Sequence, residues 1–408
     1  MEQDYLAIET SVNGVVLTKC SRKAEGEIVI PNGVTRIGKR AFLNCRNIVS
    51  IVISDSVTSI GKSAFAKCKN LETVTIPNSV TKIDKYAFRG CCSLTNITIP
   101  DSVTSIGRFA FRGCKSLTNV AIPSSISVLS YSILRDCKML SSVTIPDSVS
   151  SIEAHAFHDC CGLTSFVIPS SVTSIGYSAF RGCSGLPSIT MPPSVTDIGE
   201  SAFRSCTGLS AITIPANVTH IGSNVFAECS KLTHITVEEG NPVYDSREGC
   251  NAIIESSTNH LIAGCFTTHI PDSVTSIGER AFHDCIGLTH IAIPSSVTSI
   301  GEAAFAGCKD LKEIIISEGV TDIGESAFHD CFGLSSVVIP EGVTKISRYA
   351  FCWCIGLSSI VIPDSVTHIS YNAFYHCSGL KTITLPANVN IEKYAFDEGV
   401  ELIFRRRL

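Results

Sequence analysis

A single spacing of 23 residues governs most of this 408-residue chain. A proline, or a residue in its place, recurs at that interval, and after one gap of 33 residues the same register continues. The marker positions are Pro31, Ser54, Pro77, Pro100, Pro123, Pro146, Pro169, Pro192, Pro215 and Glu238, then Pro271, Pro294, Ser317, Pro340, Pro363 and Pro386. Self-similarity at this period predicts stacked repeats rather than the two or three domains that chain length alone would indicate.

Each unit reads P-x-S-V-T-x-I-G-x-x-A-F-x-x-C-x-x-L-x-x-I-x-I, with apolar residues at fixed offsets. The alternation in L-x-x-I-x-I predicts one short strand, V-T-x-I-G a second extended piece, and G-x-x-A-F-x-x-C a tight helical turn. A unit of this size cannot bury its own apolar face, so neighbouring units must stack on a shared core. The pattern therefore predicts a β-rich repeat solenoid of short parallel strands, on the order of 70 Å long at the usual strand spacing.

The unit resembles the leucine-rich repeats of BspA-type bacterial and protozoal surface proteins, whose pattern is I-P-x-x-V-T-x-I-G-x-x-A-F-x-x-C-x-x-L. The resemblance covers about residues 28–396, with few departures, such as Leu134 in place of the Phe and Asp84 in place of the Gly. It implies a leucine-rich-repeat-like right-handed superhelix that serves adhesion or other protein binding rather than catalysis. The stretch from Asn241 to Cys265 is also similar to a recurring insertion in that family.

The register divides the chain into five segments, because a solenoid needs caps at its ends. The enlarged unit has two apolar runs around a Ser-Ser-Thr-Asn turn, which predicts a hairpin that protrudes and adds little to the core. The predicted segments are an N-terminal β-hairpin cap with an Asn13-Gly14 turn (1–30), nine repeats (31–237), the enlarged unit with its inserted hairpin (238–270), five repeats (271–385) and a C-terminal cap (386–408).

Twenty cysteines would normally indicate a disulfide framework in an exported protein. Fourteen of them share one inward offset, where parallel Cβ directions are poor geometry for bridging, so free, buried thiols are predicted. Of the other six, Cys250 and Cys265 could meet across the inserted hairpin or remain free.

One recurring motif, His-Asp-Cys, resembles a catalytic or metal-binding site but follows from the repeat pattern. His-Asp-Cys occurs at 158–160, 283–285 and 329–331, but the Cys offset points inward and the two preceding offsets vary between copies. These His and Asp side chains are therefore expected in solvent rather than in a metal or catalytic site. No catalytic residue, metal site or cofactor is predicted, and the chain is interpreted as not being an enzyme.

Charge is unevenly divided along the chain, whose net charge is -5. Residues 1–204 hold 20 Lys+Arg and 15 Asp+Glu, giving +5, while residues 205–408 hold 12 and 22, giving -10. Such a body could orient a partner or favour self-association, or the difference could be drift among copies. The overall charge balance predicts no nucleic-acid partner. Five arginines share one offset of the repeat and are expected to form a ladder along one edge: Arg89, Arg112, Arg135, Arg181 and Arg204.

The enlarged unit is the segment that stacking does not require, and conspicuous insertions in solenoids often contribute to binding. A ligand footprint is therefore predicted on it and on the adjoining strand face, although a spacer that adjusts curvature is the alternative. The candidate ligand-binding residues are Tyr244, Asp245, Arg247, Glu248, Asn259, His234, Thr236 and His290.

These observations predict a non-enzymatic protein-recognition solenoid for adhesion to host or neighbouring cells, with a protein ligand. The family resemblance favours the cell surface or secretion. No apolar run reaches the roughly 20 residues of a membrane span. An intracellular protein-interaction scaffold is the alternative, favoured by the lack of an export signal in Met1–Thr10 and by the many free thiols. A carbohydrate-binding or carbohydrate-active solenoid is a third alternative, which a carboxylate pair at a repeat-breaking site would favour.

Overall fold

The computed structural model describes residues 5–12 and 14–406. The chain divides between Gly208 and Leu209 into two compact units, each built of short, mostly parallel strands. Among the described residues, the helical element is one short 3-10 turn, Arg247–Gly249. The prediction of a β-rich, leucine-rich-repeat-like solenoid is confirmed.

In the first unit, the L-x-x-I-x-I and V-T-x-I-G parts of the repeat form separate parallel sheets. The strands are β1 (Leu6–Ser11), β2 (Gly14–Cys20), β3 (Glu25–Val29), β4 (Arg36–Ile37), β5 (Asn47–Val52), β6 (Ser59–Ile60), β7 (Thr73–Thr75), β8 (Lys82–Ile83), β9 (Asn96–Ile97), β10 (Ser105–Ile106), β11 (Asn119–Ala121), β12 (Val128–Leu129), β13 (Ser142–Thr144), β14 (Ser151–Ile152), β15 (Ser174–Ile175) and β16 (Asp197–Ile198). One sheet runs β13-β11-β9-β7-β5-β3, and the shorter strands form β1-β2-β4-β6-β8-β10 and a sheet through β12, β14, β15 and β16. Ile60 pairs with Ile83, one repeat away, so equivalent residues stack on one another.

The second unit repeats this arrangement around the enlarged unit. Its strands are β17 (Ala211–Ile214), β18 (His220–Ile221), β19 (His234–Val237), β20 (Tyr244–Asp245), β21 (Ala252–Glu255), β22 (His260–Gly264), β23 (Ser276–Ile277), β24 (His290–Ile293), β25 (Ser299–Ile300), β26 (Glu313–Ile316), β27 (Asp322–Ile323), β28 (Ser336–Val338), β29 (Lys345–Ile346), β30 (Ser359–Val361), β31 (His368–Ile369), β32 (Thr382–Leu385), β33 (Asn390–Ile391) and β34 (Glu401–Phe404). The sheets are β17-β19, β20-β21-β22-β23-β25-β27, β24-β26-β28-β30, β29-β31-β33 and β32-β34.

Strands near both ends of the described chain pair with these sheets through backbone hydrogen bonds. At the N-terminal end β1 and β2 form an antiparallel hairpin, and β2 then pairs in parallel with β4. Gly14 begins β2 with a φ of 109°, while Asn13 of the expected turn lies outside the described residues. At the other end β34 pairs in parallel with β32, and the ring of Phe396 stacks on Phe374 at 5.2 Å.

The G-x-x-A-F-x-x-C segment closes each repeat through two left-handed residues. In one copy these are Ser63 and Lys67, with φ of 56° and 63°. A left-handed residue other than glycine costs about 1 kcal/mol or more, but the backbone N–H of Ser63 donates to Lys85 O at 3.0 Å and that of Lys67 to Arg89 O at 2.8 Å. Stacking of equivalent turns therefore stabilises a backbone that a single unit would not hold.

Phenylalanine rings form the centre of the core. The consensus Phe is almost fully buried, and its ring stacks on that of the next repeat, as in Phe42–Phe65 at 5.0 Å, Phe65–Phe88 at 5.2 Å and Phe88–Phe111 at 5.5 Å. Each aromatic pair adds about 0.5–1.5 kcal/mol beyond the apolar area that it buries. Where successive repeats both carry the Phe, the ladder therefore couples each repeat to the next.

All twenty cysteines are free thiols, so the predicted unbridged column is confirmed. At least eleven of the fourteen column thiols donate to the carbonyl oxygen of the Phe offset one repeat earlier, as Cys68 does to Phe42 O at 3.0 Å and Cys91 to Phe65 O at 3.2 Å. Cys250 and Cys265 are also unbridged, and their thiols donate to the carbonyl oxygens of Ala252 and Asn251. The column thus satisfies backbone acceptors inside the core as well as filling space.

Native thiol labelling is expected to separate the cysteines sharply. In the folded protein Cys161 is exposed and should react fast, followed by the half-buried Cys92. Burial raises the pKa of column thiols such as those of Cys68, to about 12, and Cys91, so little reactive thiolate is present at these positions. Titration in denaturant without reductant should count all twenty, and Cys161→Ser should remove the fast native phase. A denatured count below fourteen free thiols would contradict an unbridged column, because only six cysteines lie outside it.

The enlarged unit is built into the core, so the expectation of a protruding hairpin that adds little to it was wrong. Strands β21 and β22 form an antiparallel hairpin, but β22 also pairs in parallel with β23 through Leu261 and Ile277. Both Ile254 and Leu261 have no exposed surface and belong to the same apolar cluster as the following repeats. Strand β22 therefore acts as the short strand of an additional coil.

Candidate recognition surface

The charged residues predicted for the ligand footprint are engaged mainly with one another. The guanidinium of Arg247 donates to both carboxylate oxygens of Asp245, at 2.7 and 2.5 Å, and its Nη1 donates to Asn259 Oδ1 at 2.8 Å and Ser273 Oγ at 3.3 Å. Ser256 Oγ donates to the second Asp245 oxygen at 2.7 Å. This network fastens β20 and its following turn to the hairpin loop between β21 and β22.

Electrostatics agree with a structural role for this network. Burial raises the pKa of the Asp245 carboxyl, but hydrogen bonds from Arg247 and Ser256 outweigh that effect and hold the pKa below its ordinary value. The carboxylate is therefore ionised at neutral pH and already paired. A ligand would have to displace these partners to use it.

The remaining footprint residues of the enlarged unit have different surroundings. Tyr244 is buried, and its hydroxyl accepts a hydrogen bond from the backbone N–H of Ile221 at 3.3 Å. Glu248 is exposed on a left-handed backbone with φ of 59°. Of the five residues predicted in this unit, Glu248 thus has the freest side chain for a partner.

The strand-face residues of the predicted footprint are open to solvent. His234 and Thr236 are exposed on β19, and His290 is exposed on β24. Their strands belong to sheets other than the one that carries Asp245 and its network. Between the two strands Thr267 Oγ1 donates to Thr233 O at 2.6 Å, so residues 265–270 fill the place of a missing strand. The structure therefore separates the predicted footprint into a structural network and an open strand face.

A row of apolar side chains on this face was missed by the sequence analysis. Ile315, Val338 and Val361 occupy the middle offset of I-x-I and are 57%, 59% and 49% exposed. Ala292 precedes them in register, paired with Ile315. The signal was present, because the same offset carries Thr in most earlier repeats, for example Thr75. We call the row Ala292, Ile315, Val338 and Val361 the apolar stripe.

A groove of about 310 Å³ opens at the start of the apolar stripe. Its lining combines apolar surface from Ala292 and Ile315 with titratable side chains of His269, His290 and Glu313. His290 and Glu313 are directly paired across β24 and β26, and Thr268, His269 and Ile270 also line the groove. The groove therefore combines apolar surface with one carboxylate and two imidazoles.

In each of the three His-Asp-Cys copies the histidine ring lies next to the carboxylate of the following Asp. In one copy the histidine is buried, although it was expected to face solvent. Nδ1 of the histidine lies 3.2, 2.9 and 3.2 Å from an Asp oxygen in the copies at 158, 283 and 329. The side chain of His158 is only 9% exposed, so the expectation that it faces solvent was wrong. It packs against the ring of His155 with centroids 5.3 Å apart, and burial lowers its pKa.

One set of potential metal ligands converges in the described part of the chain. Ligand atoms of Asp136, His158 and Asp159 lie within 4.8 Å of one another. Nε of Arg112 and of Arg135 lie 3.1 and 3.7 Å from Asp136 Oδ2, so two members of the expected arginine ladder already supply positive charge there. The cluster is accordingly interpreted as an ion-pair network.

No helix formed by the described residues is long and apolar enough to cross a membrane.

Comparison with known proteins gives the family. The sequence matches the BspA type leucine rich repeat region (6 copies) over residues 19–141, 136–245, 258–351 and 321–403. A leucine rich cell surface protein of Faecalibacterium prausnitzii is 30% identical, with a TM-score of 0.56 over 100% of this chain and 95% of that one. A leucine-rich repeat protein of Bacteroides ovatus is 25% identical, with a TM-score of 0.54 over 99% of both chains. No curated protein sequence matches. The chain belongs to the BspA-type leucine-rich-repeat family.

Proposed function

We propose that this protein is a non-enzymatic recognition protein that binds a protein ligand through the strand face of its second unit. The observation that carries the proposal is the apolar stripe, whose three largest members are each about half exposed. Contiguous exposed apolar residues bordered by polar ones are typical of protein interaction sites. Here the border is the row His290, Glu313, Ser336 and Ser359 on the same strands.

The geometry of the face suits a broad, rigid contact. Successive strands are held in parallel register, so the exposed side chains project from a fixed backbone. Binding then requires little ordering of the protein, which reduces the entropic cost of association. The groove at His290 provides a depression into which a side chain of the ligand would insert.

A cell-surface location and a role in adhesion are part of the proposal. The Faecalibacterium prausnitzii relative is a cell surface protein, and its similarity extends over this whole chain. A recognition role needs no catalytic group, and the groove lining supports that reading because Glu313 is its single carboxylate. Glycoside hydrolysis ordinarily requires two carboxyl groups flanking the scissile bond.

The test is affinity capture followed by measurement of the dissociation constant. Wild-type protein is used to capture partners from host-cell extract and from a lysate of the producing cell. Each captured protein is purified and titrated against the variant Ile315→Glu/Val338→Glu. We expect at least tenfold weaker binding, because two carboxylates would be buried against an apolar contact, and tenfold corresponds to about 1.4 kcal/mol.

A matched control places the same charges elsewhere on the second unit. Ile286 and Ile355 are exposed on the turn segments, at 37% and 43%. The variant Ile286→Glu/Ile355→Glu should bind as wild type does. Equal affinity of the stripe variant and the wild type for every captured partner would contradict the proposal.

A further inference from the structure

The turn segments of the first unit carry a concentration of positive charge that the repeat does not require. Five consecutive copies of the G-x-x-A-F-x-x-C-x segment, 38–46, 61–69, 84–92, 107–115 and 130–138, form what we call the basic turn face. These segments contain thirteen Lys and Arg against two Asp, a formal charge of +11 in a chain of net charge -5. The first two read GKRAFLNCR and GKSAFAKCK.

The second unit provides an internal comparison. Its equivalent segments, 278–286, 301–309, 324–332, 347–355 and 370–378, contain three basic and five acidic residues, a formal charge of -2. The stacking of turns is the same in both units, as shown by the alternating backbone hydrogen bonds between neighbouring copies. Packing of the repeat therefore does not account for the basic residues.

Most of these cations lack a compensating charge. Among the described residues of the face, the ion pairs are those of Arg112 and Arg135 with Asp136. The other acid, Asp84, accepts a hydrogen bond from the backbone N–H of Lys85 at 2.7 Å. Eleven cations remain without an ion pair in this part of the structure, and their mutual repulsion would be relieved by a bound polyanion.

The cations are also regularly spaced. At the offset after the Gly position, Lys39, Lys62, Lys85 and Arg108 follow one another in successive repeats. The repeats advance by 5.0–5.5 Å, measured between stacked Phe ring centroids. Beside this row lies a groove of about 520 Å³, lined by Arg36, Lys39, Lys62 and Lys82 with Asp84 as its single acid. A linear chain of anionic groups would meet a cation in every repeat.

We propose that the basic turn face binds an acidic polysaccharide, a linear glycan that carries sulfate or carboxylate groups. Arginine binds such groups through paired N–H donors and lysine binds them as a point charge. This surface lies in the first unit and is independent of the protein-binding face proposed above. It adds a second class of ligand to the protein.

The aromatic residues of the face argue against single-stranded nucleic acid. The rings of Tyr86 and Phe109 stack on each other with centroids 4.8 Å apart, and the guanidiniums of Arg89 and Arg112 lie 5.6 and 5.9 Å from them. Ring faces that would stack on bases are thus engaged within the protein. None of the described residues in the five segments is a strongly exposed large apolar side chain of the kind that inserts into a bilayer.

The test uses a variant that the repeat tolerates. Glu279, Glu302 and Glu325 stand in the second unit at the offset of Lys39, Lys62 and Lys85. We therefore choose Lys39→Glu/Lys62→Glu/Lys85→Glu, with Lys309→Glu/Lys312→Glu/Lys345→Glu as a control of equal charge change in the second unit. The probe is surface-immobilised heparin at about 0.1 M salt, where electrostatic contacts act over about 10 Å.

Wild-type protein is expected to bind heparin, and the turn-face variant at least tenfold more weakly. The control variant should stay within twofold of wild type, and chemically desulfated heparin should bind at least tenfold more weakly than heparin. Equal binding of the two triple variants would overturn the proposal. So would duplex DNA or phosphatidylserine vesicles that bind as tightly as heparin at the same salt concentration, because the face would then recognise another polyanion or charge alone. Circular dichroism of all variants checks that the fold is retained.

Discussion

Replacing Phe157 with alanine is expected to lower the free energy of unfolding of the surrounding repeats by about 3–5 kcal/mol. The side chain has no exposed surface, and its ring lies 4.9 Å from that of Phe166 and 5.3 Å from that of Phe180. Alanine loses the apolar contacts and leaves a cavity, which the fixed inter-repeat hydrogen bonds prevent from collapsing. The loss should be large for a single substitution.

The position of Phe157 also predicts which repeats lose stability when it is replaced. Its neighbour on the N-terminal side at the same offset is Leu134, so the ring stack that continues through Phe180 begins here. Repeats couple mainly to their neighbours, and hydrogen-exchange protection should therefore fall first over residues 123–191. Val167→Ala is the control, because Val167 is 79% exposed and should change stability by less than about 0.5 kcal/mol. A uniform loss of protection over the whole chain would instead indicate one cooperative globule.

The sequence was sufficient to predict the regular repeats because each consensus apolar offset has one environment, the core. Ile60 and Ile83 are both buried and directly paired, as their shared register requires. The inward offset of Cys91 predicted a buried free thiol for the same reason. An error in one unit would have conflicted with its neighbours, so periodicity served as an internal check.

Two structural predictions, for the enlarged unit and for His158, were wrong because the repeat register does not determine the packing at these positions. Residues 252–254 and 261–263 are apolar, which is equally compatible with a protruding hairpin and with strands in the core. Nothing in the local pattern specifies that Leu261 pairs with Ile277, because that contact depends on which strand lies next to β22. His158 was misjudged because its buried environment depends on packing against His155 in the same turn.

The surface proposed for binding was predicted only in part, because the sequence analysis considered polar groups and not exposed apolar ones. His234 and His290 were correctly placed on exposed strands, but Ile315 stands in the run Glu-Ile-Ile-Ile, where an outward apolar residue resembles core. Asp245 and Arg247 were chosen for their charge, whereas the structure pairs them with each other. Whether an apolar residue such as Ile315 belongs to the core or to the exposed face depends on the strand register.

Replacing Leu261 with alanine is expected to lower the free energy of unfolding by about 2–5 kcal/mol, although Leu261 lies in the enlarged unit rather than in a regular repeat. The side chain is fully buried, opposite Ile254 in the hairpin and beside Ile277 in the next coil. Chemical denaturation monitored by circular dichroism measures the change. Hydrogen exchange should show the loss spreading from β22 into β23 and β25, because these strands form one sheet.

The control for this substitution is Ser257→Ala in the exposed tip of the same hairpin, which should change stability by less than about 0.5 kcal/mol. A cost below about 1 kcal/mol for Leu261→Ala, or a loss of protection confined to residues 252–264, would mean that the hairpin is an appendage after all. The distinction governs how the enlarged unit must be tested for binding. If its strands are core, removing the hairpin would unfold the adjoining repeats and abolish any activity indirectly, so only substitutions at exposed positions such as Glu248 can report on a ligand contact.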